Sequence, residues 1–251
     1  MSQFITLIIP FIGTSAGATA VFFLKNKTTD KAEKAMLGFA SGVMVAAAVW
    51  SLIIPSIEMT AEKGETPWLP AVSGFMAGVV FLLLSDIAVA NLRPQGKTEF
   101  SKTLMLIFAV TLHNIPEGMA VGVAIAGSLA ENSGITPAAV TALSLGIALQ
   151  NLPEGAIISM PLIGKTSKPK AFACGVLSGS VEPVFGFITV IFVSKLSVLL
   201  PYLLSFAAGA MFYVVYEELI PESKSGNCGC TGIISSSLGF CLMMLLDVAL
   251  G

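Results

Sequence analysis

Charge is scarce in this sequence. Asp, Glu, Lys and Arg make up 11% of its 251 residues, against about 25% in a soluble domain. That shortage excludes a water-exposed globular surface, as do the 55% hydrophobic content and the mean hydropathy of +0.89. Net charge is only -2, with no basic stripe, so nucleic acid is excluded as a partner. Cysteine is equally sparse. Cys174 and Cys241 fall in apolar runs, which leaves Cys228 and Cys230 and no extracellular disulfide framework. Histidine is reduced to one residue, His113, so there is no His-Glu-x-x-His pair for a metallohydrolase. The first apolar stretch, Phe4 to Leu24, lacks a basic region before it and a small-residue cleavage site after it, and is expected to be a retained helix rather than a signal peptide.

What the chain does have is apolar length. Runs near the 20 or so residues that cross a bilayer occur at 4–24, 36–58, 69–91, 103–129, 136–163, 171–193, 200–222 and 232–250. They predict an all-α integral membrane protein of eight transmembrane helices in a single domain, 1–251. Basic residues cluster in alternate loops: Lys25, Lys27, Lys31 and Lys34; Arg93, Lys97 and Lys102; Lys165, Lys168 and Lys170; and Lys224. The other loops hold only Lys63 and Lys195. Since Lys and Arg favour the cytoplasmic side, both termini are expected outside the cytoplasm. Short loops and compact size suit a prokaryotic plasma (inner) membrane.

Two related stretches stand out against this background: Leu112-His113-Asn114-Ile115-Pro116-Glu117-Gly118 and Leu149-Gln150-Asn151-Leu152-Pro153-Glu154-Gly155. An ionisable residue inside an apolar span is costly unless it faces a partner or a cavity, so by default it marks function. Spacings of i, i+3 and i, i+4 put His113, Asn114 and Glu117 on one side of their helix, and Gln150, Asn151 and Glu154 repeat the layout. Pro116 and Pro153 cannot donate to the carbonyls of Leu112 and Leu149, so a kink and two freed carbonyls are expected. At 1.5 Å per residue His113 lies roughly 15 Å deep, Gln150 roughly 20 Å, and Glu182 of Val181-Glu182-Pro183 roughly 16 Å. All three fall near the midplane. A fainter likeness joins Ser51-Leu52-Ile53-Ile54-Pro55 to Glu217-Glu218-Leu219-Ile220-Pro221. It hints at an inverted repeat of helices 1–3 and 6–8 around helices 4 and 5.

Imidazole, carboxylate and amide oxygen suit Zn²⁺, Cd²⁺, Fe²⁺ or Mn²⁺, and the absence of thiolate argues against Cu⁺. Glu117, Glu154 and Glu182 cannot all be ionised in a low-dielectric cavity without a cation, so metal entry is expected to displace protons. The expected arrangement is binuclear: Glu117 and Glu154 bridge two positions, His113 and Gln150 complete one, and Asn114, Asn151 and Glu182 complete the other.

His-Asn-Ile-Pro-Glu-Gly and Gln-Asn-Leu-Pro-Glu-Gly in adjacent spans, followed by Val-Glu-Pro in the sixth, resemble the ZIP (Zrt/Irt-like) family of divalent metal transporters, in particular its GufA-like bacterial branch. The resemblance implies metal movement into the cytosol, a binuclear site between helices 4 and 5, elevator-like or rocking access, and a homodimer. It implies no catalytic cofactor, the metal being cargo. Two departures bear on selectivity. Gln150 stands where many members have His, and residues 92–102 lack the family's His-rich loop.

Other residues have weaker expectations. Asp86 and Glu217-Glu218 fall toward the cytoplasmic mouth, and Asp247 lies near a helix end. Glu58, Glu62 and Glu65 could attract cations from outside. Cys228-Gly229-Cys230 could hold a soft metal. Trp50 is expected in the core and Trp68 at the interface. The alternatives are a membrane-embedded metallohydrolase and a metal-sensing channel.

Overall fold

The computed structural model describes residues 3–23, 29–91, 99–130, 133–193, 197–225 and 229–250. Lys25, Lys27, Arg93, Lys97, Lys195 and Cys228 lie outside the described residues. Among those described the chain is almost wholly helical, and no strand longer than a single bridge occurs. The α-helices are α1 (Ile9–Ala18), α2 (Ala20–Phe23), α3 (Asp30–Ala47), α4 (Ile54–Glu62), α5 (Trp68–Asn91), α6 (Glu99–Leu129), α7 (Pro137–Ser159), α8 (Lys168–Gly179), α9 (Val181–Val193), α10 (Leu200–Val214), α11 (Ile220–Lys224) and α12 (Gly229–Leu250).

Among the described residues six stretches are long and apolar enough to cross a membrane: Phe4–Phe23, Asp30–Glu62, Trp68–Ala88, Lys168–Val193, Leu200–Lys224 and Cys230–Leu250. Helices α6 and α7, of 31 and 23 residues, carry the two polar motifs between them. The protein is therefore a multi-pass helical membrane protein. Its outer surface is apolar, as a bilayer requires: Leu84, Ile188, Phe192, Leu238 and Leu245 are all exposed.

Several apolar runs are not single α-helices. The first opens with a 3₁₀ turn and bends at Thr19. The sixth breaks at Ser180, whose N–H is shared between the Val176 and Leu177 carbonyls. The second and seventh contain π-helical segments, Ala48–Ile53 and Val215–Leu219. Each π segment is followed by Ile-Pro, Ile54-Pro55 or Ile220-Pro221, whose proline cannot donate to the preceding turn. In contrast, α6 and α7 remain helical through Pro116 and Pro153.

The second helix starts at Asp30, six residues before the apolar run, because Thr29 caps it by accepting from Ala32 N at 3.3 Å. Lys34 is consequently no loop charge. It is buried within α3 and paired with Asp30 at 2.5 Å. Thr136 caps α7 in the same way, accepting from Ala139 N at 3.0 Å ahead of Pro137. Thr136→Ala should lower stability by about 1 kcal/mol, measured as a small drop in thermal midpoint in detergent.

Helix pairs pack through glycine. With no hydrophobic drive between helices in lipid, close backbone approach supplies the attraction. Gly-x-x-x-Gly occurs at 13/17, 38/42, 74/78, 118/122 and 175/179. These seat α1 on α7, α3 on α12, α5 on α10, α6 on α9 and α8 on α1. A Cβ added at Gly42, for example, would lie 1.8 Å from the Ser236 carbonyl oxygen. Further packing joins α3 to α7 and α10 to α6, so α6 and α7 sit between the other pairs. Trp50 packs against the core and meets Phe240 edge-on, whereas Trp68 is exposed at the start of α5.

Candidate metal centre

The polar residues of the two motifs all lie in the interior. His113, Asn114, Glu117, Gln150, Asn151, Glu154 and Glu182 are each no more than 7% exposed. Burial of this many polar groups is costly unless they find partners, and the partners they find divide them into two neighbouring groups.

The first group lies where α6, α7 and α9 meet α1. Gln150 Nε2 of α7 donates to Glu117 Oε1 of α6 at 2.8 Å. Thr14 Oγ1 of α1 donates to Glu182 Oε1 of α9 at 2.7 Å. Asn114 Nδ2 donates to the Ser178 carbonyl at 3.3 Å. The Asn151 amide lies beside both Glu117 and Glu182 without completing a hydrogen bond. Apart from Asn151, whose Oδ1 and Nδ2 are both left over, one end of each side chain is held and the other is not: Glu117 Oε2, Glu182 Oε2, Asn114 Oδ1 and Gln150 Oε1 are buried with no partner. Unpartnered buried oxygens are rare. Five of them lie in this region, Asn151 Oδ1 included.

The second group surrounds His113. Its Nδ1 stands 3.3 Å from Glu218 Oε2 and its Nε2 3.7 Å from Asp86 Oδ1, neither aligned as a hydrogen bond. Tyr213 lies beside Asp86. Glu154, with Oε2 unpartnered, shares a cavity of about 380 Å³ with His113. The cavity continues past Glu217, Glu218 and Glu222 to Ser225, so it connects the buried histidine with the far end of α11. Gln150 is thus turned toward Glu117, and His113 toward Asp86 and Glu218. Among the described residues no three His, Cys, Asp or Glu side chains converge on one point. The oxygens and nitrogens face each other in pairs, and amides and a hydroxyl supply the rest.

The spacing within the motifs led to six of these residues and the depth of Val181-Glu182-Pro183 to Glu182; Asp86 and Glu218, expected toward the cytoplasmic mouth, stand beside His113. Thr14 was missed, since a lone threonine in an apolar helix carries no signal of its own. Asp247 accepts from Ser51 at 2.7 Å, joining α12 to the first π segment away from the motif residues. Glu58, Glu62 and Glu65 are exposed, as is Cys230.

Comparison with known proteins identifies the family. The family model described as ZIP Zinc transporter matches residues 94–247, which include both motifs and Glu182. Zinc transporter ZIP11 of Xenopus tropicalis is 34% identical over 95% of this chain and 94% of its own length. Zinc transporter GufA of Myxococcus xanthus is 34% identical over 95% and 96%. Zinc transporter ZIPB of Bordetella bronchiseptica is 32% identical over 96% and 79%. With motifs, helical architecture and near full-length similarity in agreement, the chain belongs to the ZIP family of transporters.

Proposed function

We propose that this protein carries divalent transition-metal cations into the cytoplasm, zinc foremost and Cd²⁺, Fe²⁺ or Mn²⁺ as related cargo, through a midplane site between α6 and α7. The observation that carries this is the buried donor set at the α6–α7–α9 junction, whose spare oxygens neighbour a cavity running along Glu217, Glu218 and Glu222. The relatives' names supply the metal. Two cation positions share Glu117 and Glu154; one adds His113 and Gln150, the other Asn114, Asn151 and Glu182. Hard oxygen donors with a single imidazole suit borderline divalent ions. Membership of a transporter family makes the chain a carrier rather than an enzyme, so the metallohydrolase alternative lapses.

The architecture is one domain of eight spans, with helices 1–3 and 6–8 related by an inverted repeat around α6 and α7. The packing pairs support it. Exchanging span 1 with 6, 2 with 7, 3 with 8 and 4 with 5 turns the α3–α12 pair into α10–α5, α1–α7 into α9–α6, and α3–α7 into α10–α6, all of them observed packings. The two π segments exchange as well. Both termini lie outside the cytoplasm in a plasma (inner) membrane, and lipid or a second copy of the chain covers the apolar outer faces.

The test is uptake by proteoliposomes of Zn²⁺, Cd²⁺, Fe²⁺ and Mn²⁺ in parallel, with internal pH recorded. Saturable uptake, zinc first, with an accompanying pH change is expected, because metal entry displaces protons. No metal flux from folded, inserted protein overturns the proposal.

A further inference from the structure

Thr14 is a fully buried hydroxyl on α1 that reaches an acid of the site. We propose that it is a positioning residue for metal binding: its hydroxyl pins Oε1 of Glu182 so that Oε2 is presented to the cation. This rests on the assignment of Glu182 as a metal donor.

A hydroxyl has one proton to give. Two acceptors are in reach, the Pro10 carbonyl at 3.4 Å and Glu182 Oε1 at 2.7 Å. The shorter contact takes the proton, and it strengthens once a bound cation leaves Glu182 ionised, since bonds to an ionised acceptor are about twice as strong. Thr14 therefore gives up the back-bond within its own helix, the usual destination of a helical threonine, for a bond to α9.

Its backbone cannot drift. A Cβ added at Gly155 of α7 would lie 2.0 Å from the Thr14 carbonyl oxygen, and one added at Gly179 of α8 would lie 2.7 Å from Thr14 Cβ. Two neighbouring helices thus close on the residue, and the hydroxyl inherits that rigidity. Glu182 is left with one oxygen bonded and the other buried, unpartnered and close to Asn151. A carboxylate held in this way loses little further freedom when a cation arrives. Partners that orient metal ligands typically contribute about 10- to 100-fold to metal affinity.

Thr14→Val keeps the shape and the methyl packed against Gly179 but removes the donor. In full-length protein, Zn²⁺ titration by calorimetry should show roughly tenfold or greater loss of affinity. Uptake should show a raised KM with kcat changed by less than about twofold, as expected when binding rather than passage is weakened. Thr14→Ser should bind as the unaltered protein does. In a Glu182→Gln background, Thr14→Val should add almost nothing, because the charge it orients is gone.

Equal affinity in Thr14→Val and the unaltered protein overturns the proposal, and so does an undiminished effect of Thr14→Val on top of Glu182→Gln, which would mark a packing role. If Thr14→Val does not fold, Thr14→Ser against Thr14→Ala, which differ by the oxygen alone, makes the same comparison. Unaltered zinc affinity in Glu182→Gln alone would remove Glu182 from the donor set and the proposal with it, whereas failure confined to the Thr14 variants leaves that donor set standing.

Discussion

Replacing Glu117 by alanine should abolish saturable metal uptake while leaving a folded, inserted protein. Glu117 is 1% exposed, with Oε1 bonded to Gln150 Nε2 and Oε2 unpartnered. In the proposed arrangement it bridges both cation positions, so its loss removes a charged ligand from each. Orienting partners alone are worth about 10- to 100-fold in metal affinity, and a bridging ligand should exceed the top of that range. The fold should tolerate the change better than the site does. Alanine removes a carboxylate whose burial was itself unfavourable, at the cost of leaving Gln150 Nε2 without an acceptor. Glu117→Gln separates charge from shape: it should keep the thermal midpoint near that of the unaltered protein and still lose uptake. Uptake at the unaltered rate in either variant, with the protein shown to be inserted, would remove Glu117 from the transport path.

Residues whose burial is expensive were legible from sequence. Glu117, Glu154 and Glu182 stand in spans where an acid needs a reason, and i, i+3 and i, i+4 spacing gathered their neighbours without any tertiary information. What spacing could not supply was which helix each face meets. Gln150 and His113 occupy equivalent places in the two motifs, yet one turns to Glu117 and the other to Glu218 and Asp86. That difference comes from the flanking helices. Thr14 was hidden for a related reason, as its role depends on α9 being close enough to receive its proton.

The five Gly-x-x-x-Gly pairs were visible in the sequence, but a glycine stripe names a packing face without naming the partner. Helix boundaries failed where apolarity and helicity part company. The Thr29-Asp30 cap starts α3 before the apolar run, and Ser180 interrupts the sixth span between Gly179 and Pro183, whose ring nitrogen has no proton to give to the Gly179 carbonyl. Both copies of the echo between Ser51–Pro55 and Glu217–Pro221 overlap a π segment, which no sequence pattern announced.

Gly118→Ala should damage both the packing and the metal site with a single methyl group. Glycine closes both motifs, and the packing explains why. A Cβ at Gly118 would lie 2.2 Å from the Glu182 carbonyl oxygen, and one at Gly155 2.0 Å from the Thr14 carbonyl oxygen. The two glycines therefore seat the backbones of the two residues that hydrogen-bond each other at 2.7 Å. Backbone cannot rotate aside as a side chain can, so an added methyl must push α9 away from α6. Overpacking of this kind costs about 1–3 kcal/mol, and here the displaced atoms belong to a proposed donor. Gly122→Ala is the control. One turn along α6, its Cβ would lie 2.4 Å from the Gly186 carbonyl oxygen, a similar collision that does not act on Glu182's own carbonyl. Both variants should lower the thermal midpoint to a similar degree. Gly118→Ala should also weaken zinc binding by roughly tenfold, as loss of a ligand's support does, with Gly122→Ala much closer to the unaltered protein. Equal affinities in the two variants would mean that the glycine after each Pro-Glu serves helix packing alone and plays no part in aligning the acids.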